Sequence, residues 1–258
     1  MSVIDTVTWL KESSDQIEIC KKLRPYFTNI NERDIGKYLQ SFGMYKSNQR
    51  TDKWIERAEK DKLLAFIKEE ERKLKTEWNG PNSSIFILPS DENNRKIEIE
   101  YKGRSGLAFR NKLFLFLSVG TEKKDIRSLF IHEFHHVCRL AAVKKQEKHF
   151  TIIDTVIMEG LAENAVREKL SESDVAPWAK LYSDNQCERF LKRIIYPQKD
   201  ATRGNPKFLQ MMFGTGFYPK MVGYAVGYYI VKDYMNKTGL KTKELLSLPA
   251  EEFFKDLQ

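Results

Sequence analysis

The chain has 258 residues, 41% of them hydrophobic and 31% charged, with 44 Lys and Arg against 36 Asp and Glu. This composition supplies a sizeable core and excludes an intrinsically disordered chain. The surplus of +8 is spread among charges of both signs, so it reads as a solvated mixed surface and no nucleic-acid partner is expected.

No run reaches the ~18 apolar residues of a spanning helix. The longest candidate, Met221 to Val231, is interrupted by Gly223 and Gly227. Asp5, Lys11 and Glu12 replace the basic start and apolar block of a secretory leader. Cys20, Cys138 and Cys187 are an odd number at unrelated spacings, which is no disulfide framework. Reduced thiols and a cytoplasmic location are therefore expected.

The first 80 residues read as a helical N-terminal extension. Its clearest element is a helix over Trp54 to Trp78, stopped by Asn79-Gly80-Pro81. Residues 81–258 form the second part, and the whole is read as one compact unit. Ile85 to Leu88 is a short buried-strand pattern. Ile97, Ile99 and Tyr101 alternate with charged residues and predict a half-buried strand. Lys102 to Gly106 reads as a turn. Leu107 to Phe109 and Leu113 to Val119 follow as strands. From Glu122 onward the pattern is helical, with breaks at Pro177, Pro197, Gly204 to Pro206 and Gly214 to Pro219. The last of these is a plain loop or a rim.

Three of the four histidines fall within five residues, in His132-Glu133-Phe134-His135-His136. On a helix, residues four apart differ by ~40° in azimuth, so His132 and His136 project from one face and can share a Zn²⁺. Glu133 lies ~100° from His132, beside the metal, where a carboxylate can take a proton from water. A chain of this composition holds about 0.005 such patterns by chance, which favours the metal reading over two packed histidines. Arg139 comes ~20° from His132 and is expected to look along the same face toward a carboxylate or a substrate carbonyl. Cys138 turns away, and His135 reads as a packing residue.

A catalytic zinc needs a third protein ligand. A further His six residues past the second would supply it in one known arrangement, but position 142 is Ala142. Candidates are His149, Asp154, Glu159 and Glu163. Ile152, Val156, Glu159, Glu163 and Val166 share one helical stripe, so two carboxylates interrupt an apolar face. A metal on the facing helix resolves that conflict. Glu159 is the preferred ligand, with Asp154 and His149 as rivals.

His132-Glu133-x-x-His136 followed by Glu159-Gly160-Leu161-Ala162 resembles the gluzincin metallopeptidases. The resemblance implies Glu159 as third ligand, and Glu163 as the acid that orients a zinc histidine. The chain also resembles the YjaZ-like predicted zinc-dependent protease family. That likeness rests on Trp78 to Pro81, Gly103 to Phe109, Ile131 to Leu140, Met158 to Asn164 and Gly223 to Tyr228. Met158 departs from the Asn found before the ligand Glu in many gluzincins. Gluzincins carry an edge strand that binds extended peptide, which the resemblance places at Leu107, Ala108 and Phe109. They also use a downstream Tyr or His against the developing oxyanion. No histidine follows His149, so Tyr224 and Tyr228 are the candidates, with core aromatics as the bland reading.

The resulting expectation is an α+β zincin-like domain with a helical N-terminal extension. It holds one Zn²⁺ per chain on His132, His136 and Glu159, with Glu163 and Arg139 around them. It hydrolyses a peptide or protein substrate with Glu133 as general base. The rival is a non-catalytic metal-binding adaptor or regulatory protein that uses its basic surface to hold an acidic partner. The intact Glu133 argues against it. The sequence carries no signature of oligomeric state.

Overall fold

The computed structural model describes residues 2–47 and 49–257. The chain is α+β, a small sheet followed by long helices. It divides into two compact units, Met1–Val137 and Cys138–Gln258. The boundary falls inside one continuous helix, while the composition change near residue 80 marks the passage from helices to the first strand.

The N-terminal unit opens with α1 (Thr6–Glu12), α2 (Gln16–Leu23), α3 (Glu32–Ser41), α4 (Asp52–Lys60) and α5 (Leu63–Trp78). Asp5, Asp15 and Asn31 cap the first three by accepting a first-turn N–H. The single helix expected over Trp54 to Trp78 is in fact two. Lys62 adopts a left-handed φ of 51°, which interrupts the ladder, and Asp61 pairs with Arg57 at the end of α4.

The sheet has β1 (Ser84–Pro89), β2 (Arg104–Ala108) and β3 (Lys112–Leu117) in the order β1-β3-β2. β1 runs parallel to β3, and both are buried almost throughout, as a covered parallel pair requires. β2 pairs antiparallel with β3 and is an edge strand. The Phe86 and Phe114 rings stack across the β1–β3 pair at 4.8 Å.

The strand expected through Ile97, Ile99 and Tyr101 is not formed. Lys96–Glu100 is a π-helical turn, with Ile97 buried and Ile99 71% exposed. The Asn94 side chain accepts from the Ile97 N–H, a local bond that competes with strand pairing. The turn itself is Lys102 and Gly103, both left-handed, so β2 begins earlier than its apolar residues suggested.

Helix α6 (Lys123–Ala142) follows. Within the N-terminal unit it is tied to α5 by a two-pronged pair between Arg127 and the buried Glu70, at 2.7 and 2.8 Å. It is also stacked through Phe134 on Trp78.

The C-terminal unit is helical: the last residues of α6, then α7 (Ile152–Lys169), α8 (Asp184–Phe190), α9 (Lys207–Phe213) and α10 (Val222–Thr238), joined by shorter turns. Ile152, Val156, Leu161, Val226 and Phe254 belong to its core. α7 and α10 cross at two glycines. A Cβ on Gly160 would lie 2.1 Å from the Gly227 carbonyl oxygen, and one on Gly227 would lie 2.2 Å from that of Val156.

Candidate metal centre

Helix α6 carries the His-Glu-x-x-His pattern through an uninterrupted run. The Nε2 atoms of His132 and His136 are 3.0 Å apart, with the rings edge to face at 4.6 Å. A zinc ion bound tetrahedrally at ~2.0–2.1 Å would separate them by ~3.3 Å, so a few tenths of an ångström suffice to fit one. Among the described residues, the ligand atoms of His132, His136 and Glu159 all lie within 4.8 Å of one another, a group able to hold a metal ion. Two imidazoles and one carboxylate are a donor set suited to zinc.

Glu133 is 7% exposed. The edge strand passes directly over it. A Cβ on Gly106 would lie 2.4 Å from Glu133 Cγ and 2.5 Å from both Cδ and Oε1. Only a residue without a side chain allows this approach. His135 is fully buried with its ring edge-on to Trp78 at 5.2 Å, a packing position.

The rival ligands are engaged elsewhere or exposed. Asp154 accepts from the Thr151 N–H and hydroxyl, closing the capping box of α7, and pairs with Lys145. His149 is exposed in a short 3-10 turn. Glu163 is buried and accepts the Ala176 N–H.

The expectation that Arg139 looks along the metal face is not met by its hydrogen bonds. Its guanidinium donates to the carbonyls of Leu245, Leu246 and Leu248 at 3.0 to 3.1 Å. The long side chain leaves its helical azimuth to satisfy three C-terminal carbonyls. Burial pulls its pKa down to about 10, partly offset by Asp154 and Glu251. Burial pushes the Cys138 thiol up to about 12, so this cysteine is no nucleophile.

The two tyrosines of α10 differ. Tyr228 is buried and its hydroxyl donates to Glu172 at 2.9 Å; burial first, and that carboxylate second, hold the phenol protonated. Tyr224 is half-buried, with its ring against Trp178 at 5.1 Å and Phe213 at 5.5 Å. Leu107 and Ala108 lie on β2, and Phe109 just beyond it packs on Phe27 and Phe114. Sequence reasoning missed Gly106 and the carbonyls held by Arg139. The first was hidden because Gly106 reads as the last residue of a turn, where glycine is ordinary; nothing local announces the second.

The family model described as predicted Zn-dependent protease matches residues 63–255. The chain is 40% identical to the uncharacterized protein YjaZ of Bacillus subtilis strain 168 over 256 residues, 98% of each chain. It is also 29% identical to the uncharacterized protein YjfC of the same organism, over 49% of this chain and 45% of that one. No solved structure matches.

Proposed function

Since the chain belongs to the family of predicted Zn-dependent proteases, we propose that it is a metallopeptidase that cleaves peptide bonds with a water activated at His132, His136 and Glu159. The observation that carries this reading is the pair of imidazole nitrogens 3.0 Å apart on α6, with a buried carboxylate one residue from the first of them.

One zinc ion bound there would polarise the scissile carbonyl and acidify the attacking water. Glu133 accepts the water proton and passes it to the leaving amine nitrogen. Burial under Gly106 limits the rotamers from which it can do so. Tyr224 is the preferred donor to the developing oxyanion, because the Tyr228 hydroxyl is already given to Glu172. Glu163 orients a zinc histidine through its remaining acceptor capacity.

The substrate lies along β2. The Phe109 N–H bonds to the Lys112 carbonyl and the Ser118 N–H to the Gly103 carbonyl, so odd-numbered residues of β2 pair with β3. Gly106 and Ala108 then direct their N–H and C=O groups away from the ladder. An extended peptide added at that edge gains main-chain hydrogen bonds with little demand on its sequence.

The test joins metal analysis to cleavage of an unbiased peptide library. Purified protein is expected to hold about one zinc per chain, lost in His132→Ala. Glu133→Gln is expected to keep the zinc and lose ~10²–10⁴ in turnover. A Glu133→Gln variant that cleaves at the wild-type rate removes the proposal.

A further inference from the structure

The C-terminal unit carries an apolar surface that the chemistry above does not use. α9 buries Phe208, Met211 and Met212, yet it also carries apolar residues on its exposed side. Leu209 is 60% exposed and Phe213 is 39% exposed, one turn apart on the same face. Phe217 follows and is fully exposed.

The loop that carries Phe217 is braced. Thr215 N–H bonds to Gln210 O, Tyr218 N–H to Thr215 O and Met221 N–H to Phe213 O. Gly214 is left-handed and so close to Pro219 that a Cβ would lie 1.9 Å from its carbonyl oxygen. The backbone that presents the exposed phenyl ring is therefore held in place.

The charge is one-sided. Between Arg203 and Lys220 there are three basic residues and no acidic one. Starting from Arg193, the first cation after the Lys192–Glu188 pair, there are five basic residues against Asp200 alone, so 5 − 1 = 4 of the chain's net +8 falls in this stretch. Arg203 and Lys207 are exposed, and among the described residues neither has an acidic partner. A projecting apolar ridge with two exposed, unpaired cations just before it in the chain matches the boundary of an anionic bilayer. There the apolar groups enter the headgroup and acyl boundary and the cations meet phosphates.

We propose that the α9 face, with Leu209, Phe213 and Phe217 at its crest and Arg203 and Lys207 at its margin, docks the protein reversibly on an anionic lipid surface. A protein groove would also accept the ridge, but it would not call for Arg203 and Lys207, two exposed cations without an acidic partner, next to it in the chain. The docking does not depend on the metal centre.

The experiment is co-sedimentation of the full chain with vesicles, performed on zinc-loaded and chelator-treated protein. One set is three parts phosphatidylcholine to one part phosphatidylglycerol, and the other is phosphatidylcholine alone. The expected result is pelleting with the anionic set alone, in both metal states, weakened by salt. Replacing both Leu209→Ser and Phe217→Ser is expected to lower partitioning by more than about tenfold. Arg203→Gln with Lys207→Gln is expected to lower it ~25-fold, at ~fivefold per cation. All four positions are exposed, so thermal unfolding serves as the control for folding.

The proposal is overturned by equal pelleting with both sets, by no pelleting, or by either double variant behaving as wild type. It is likewise overturned if Phe217→Ser abolishes a dimer seen by sedimentation velocity, which assigns the ridge to a second copy of the chain. A failure to cleave peptides bears on the metallopeptidase reading and leaves these outcomes unchanged.

Discussion

In the N-terminal unit Gly106 meets a side chain, and in the C-terminal unit Gly160 meets a backbone. A Cβ at either position would come within about 2.1 to 2.5 Å of its neighbour. Yet the neighbour of Gly106 is the flexible end of Glu133, and the neighbour of Gly160 is the Gly227 carbonyl in another helix. A side chain can rotate away at small cost to the fold, whereas a packed helix has to translate. Equal crowding is thus expected to damage function in one unit and stability in the other.

Within this comparison the largest effect bears on α10, which the Gly160–Gly227 contact clamps. Tyr224→Phe removes the hydroxyl assigned to the oxyanion and keeps the ring against Trp178 and Phe213. It is expected to lower kcat by ~10²–10³ with zinc content and KM nearly unchanged. Tyr228→Phe is expected to leave kcat near wild type with little change in stability, because the Glu172 carboxylate is half exposed and keeps Lys232 at 3.0 Å. If the two variants exchange these behaviours, Tyr228 is the donor.

Gly106→Ala comes next. The methyl group displaces Glu133, and an error of ~1 Å in a catalytic group costs up to ~10² in rate. Zinc content and melting temperature are expected to stay near wild type. A drop in melting temperature with unchanged turnover would reverse the assignment of the first glycine. Gly160→Ala is the counterpart. Overpacking against backbone costs ~1–3 kcal/mol, against ~1 kcal/mol gained from helix propensity. A lowered melting temperature, by ~2–4 °C per kcal/mol at this size, is the expected reading.

The contrast also shows what a sequence discloses. His132, Glu133 and His136 are legible because helical periodicity is a local rule, and three spacings suffice to place three side chains on one helix. Glu159 could be preferred because two carboxylates on an apolar stripe demand a partner. The Ile97 to Tyr101 alternation misled because a period of two says nothing of a neighbouring Asn94 able to cap a turn. The break at Lys62 was hidden by an apolar pattern that continues across it. Arg139 escaped for the opposite reason. Its azimuth was read correctly, but a seven-atom side chain reaches beyond the face from which it starts, and its three acceptors lie a hundred residues away in sequence.

The smallest expected effect separates the two glycines without any substrate. Burial raises the thiols of Cys20 to about 12 and of Cys187 to about 11. Near pH 8 the native thiols are almost wholly protonated, so alkylation has to wait for a local opening that returns them to ~8.5. Below that value the labelling rate is expected to rise nearly tenfold per pH unit, as the thiolate fraction of the opened state does. Over the range from ~8.5 to about 11, the unfolded thiols ionise while the buried ones do not, so stability falls as pH rises. Cys187 lies in α8 with its sulfur 3.9 Å from the Ala225 carbonyl of α10, and Cys20 belongs to the other unit. Gly160→Ala is expected to speed alkylation of Cys187 by roughly 5-fold for each ~1 kcal/mol lost, with Cys20 at its wild-type rate. Gly106→Ala is expected to change neither. Mass spectrometry of iodoacetamide-treated protein reads both cysteines in one sample. Acceleration of Cys20 by Gly160→Ala would show that the crowding is not confined to the unit in which it is introduced, and the contrast between the two glycines would lose its basis.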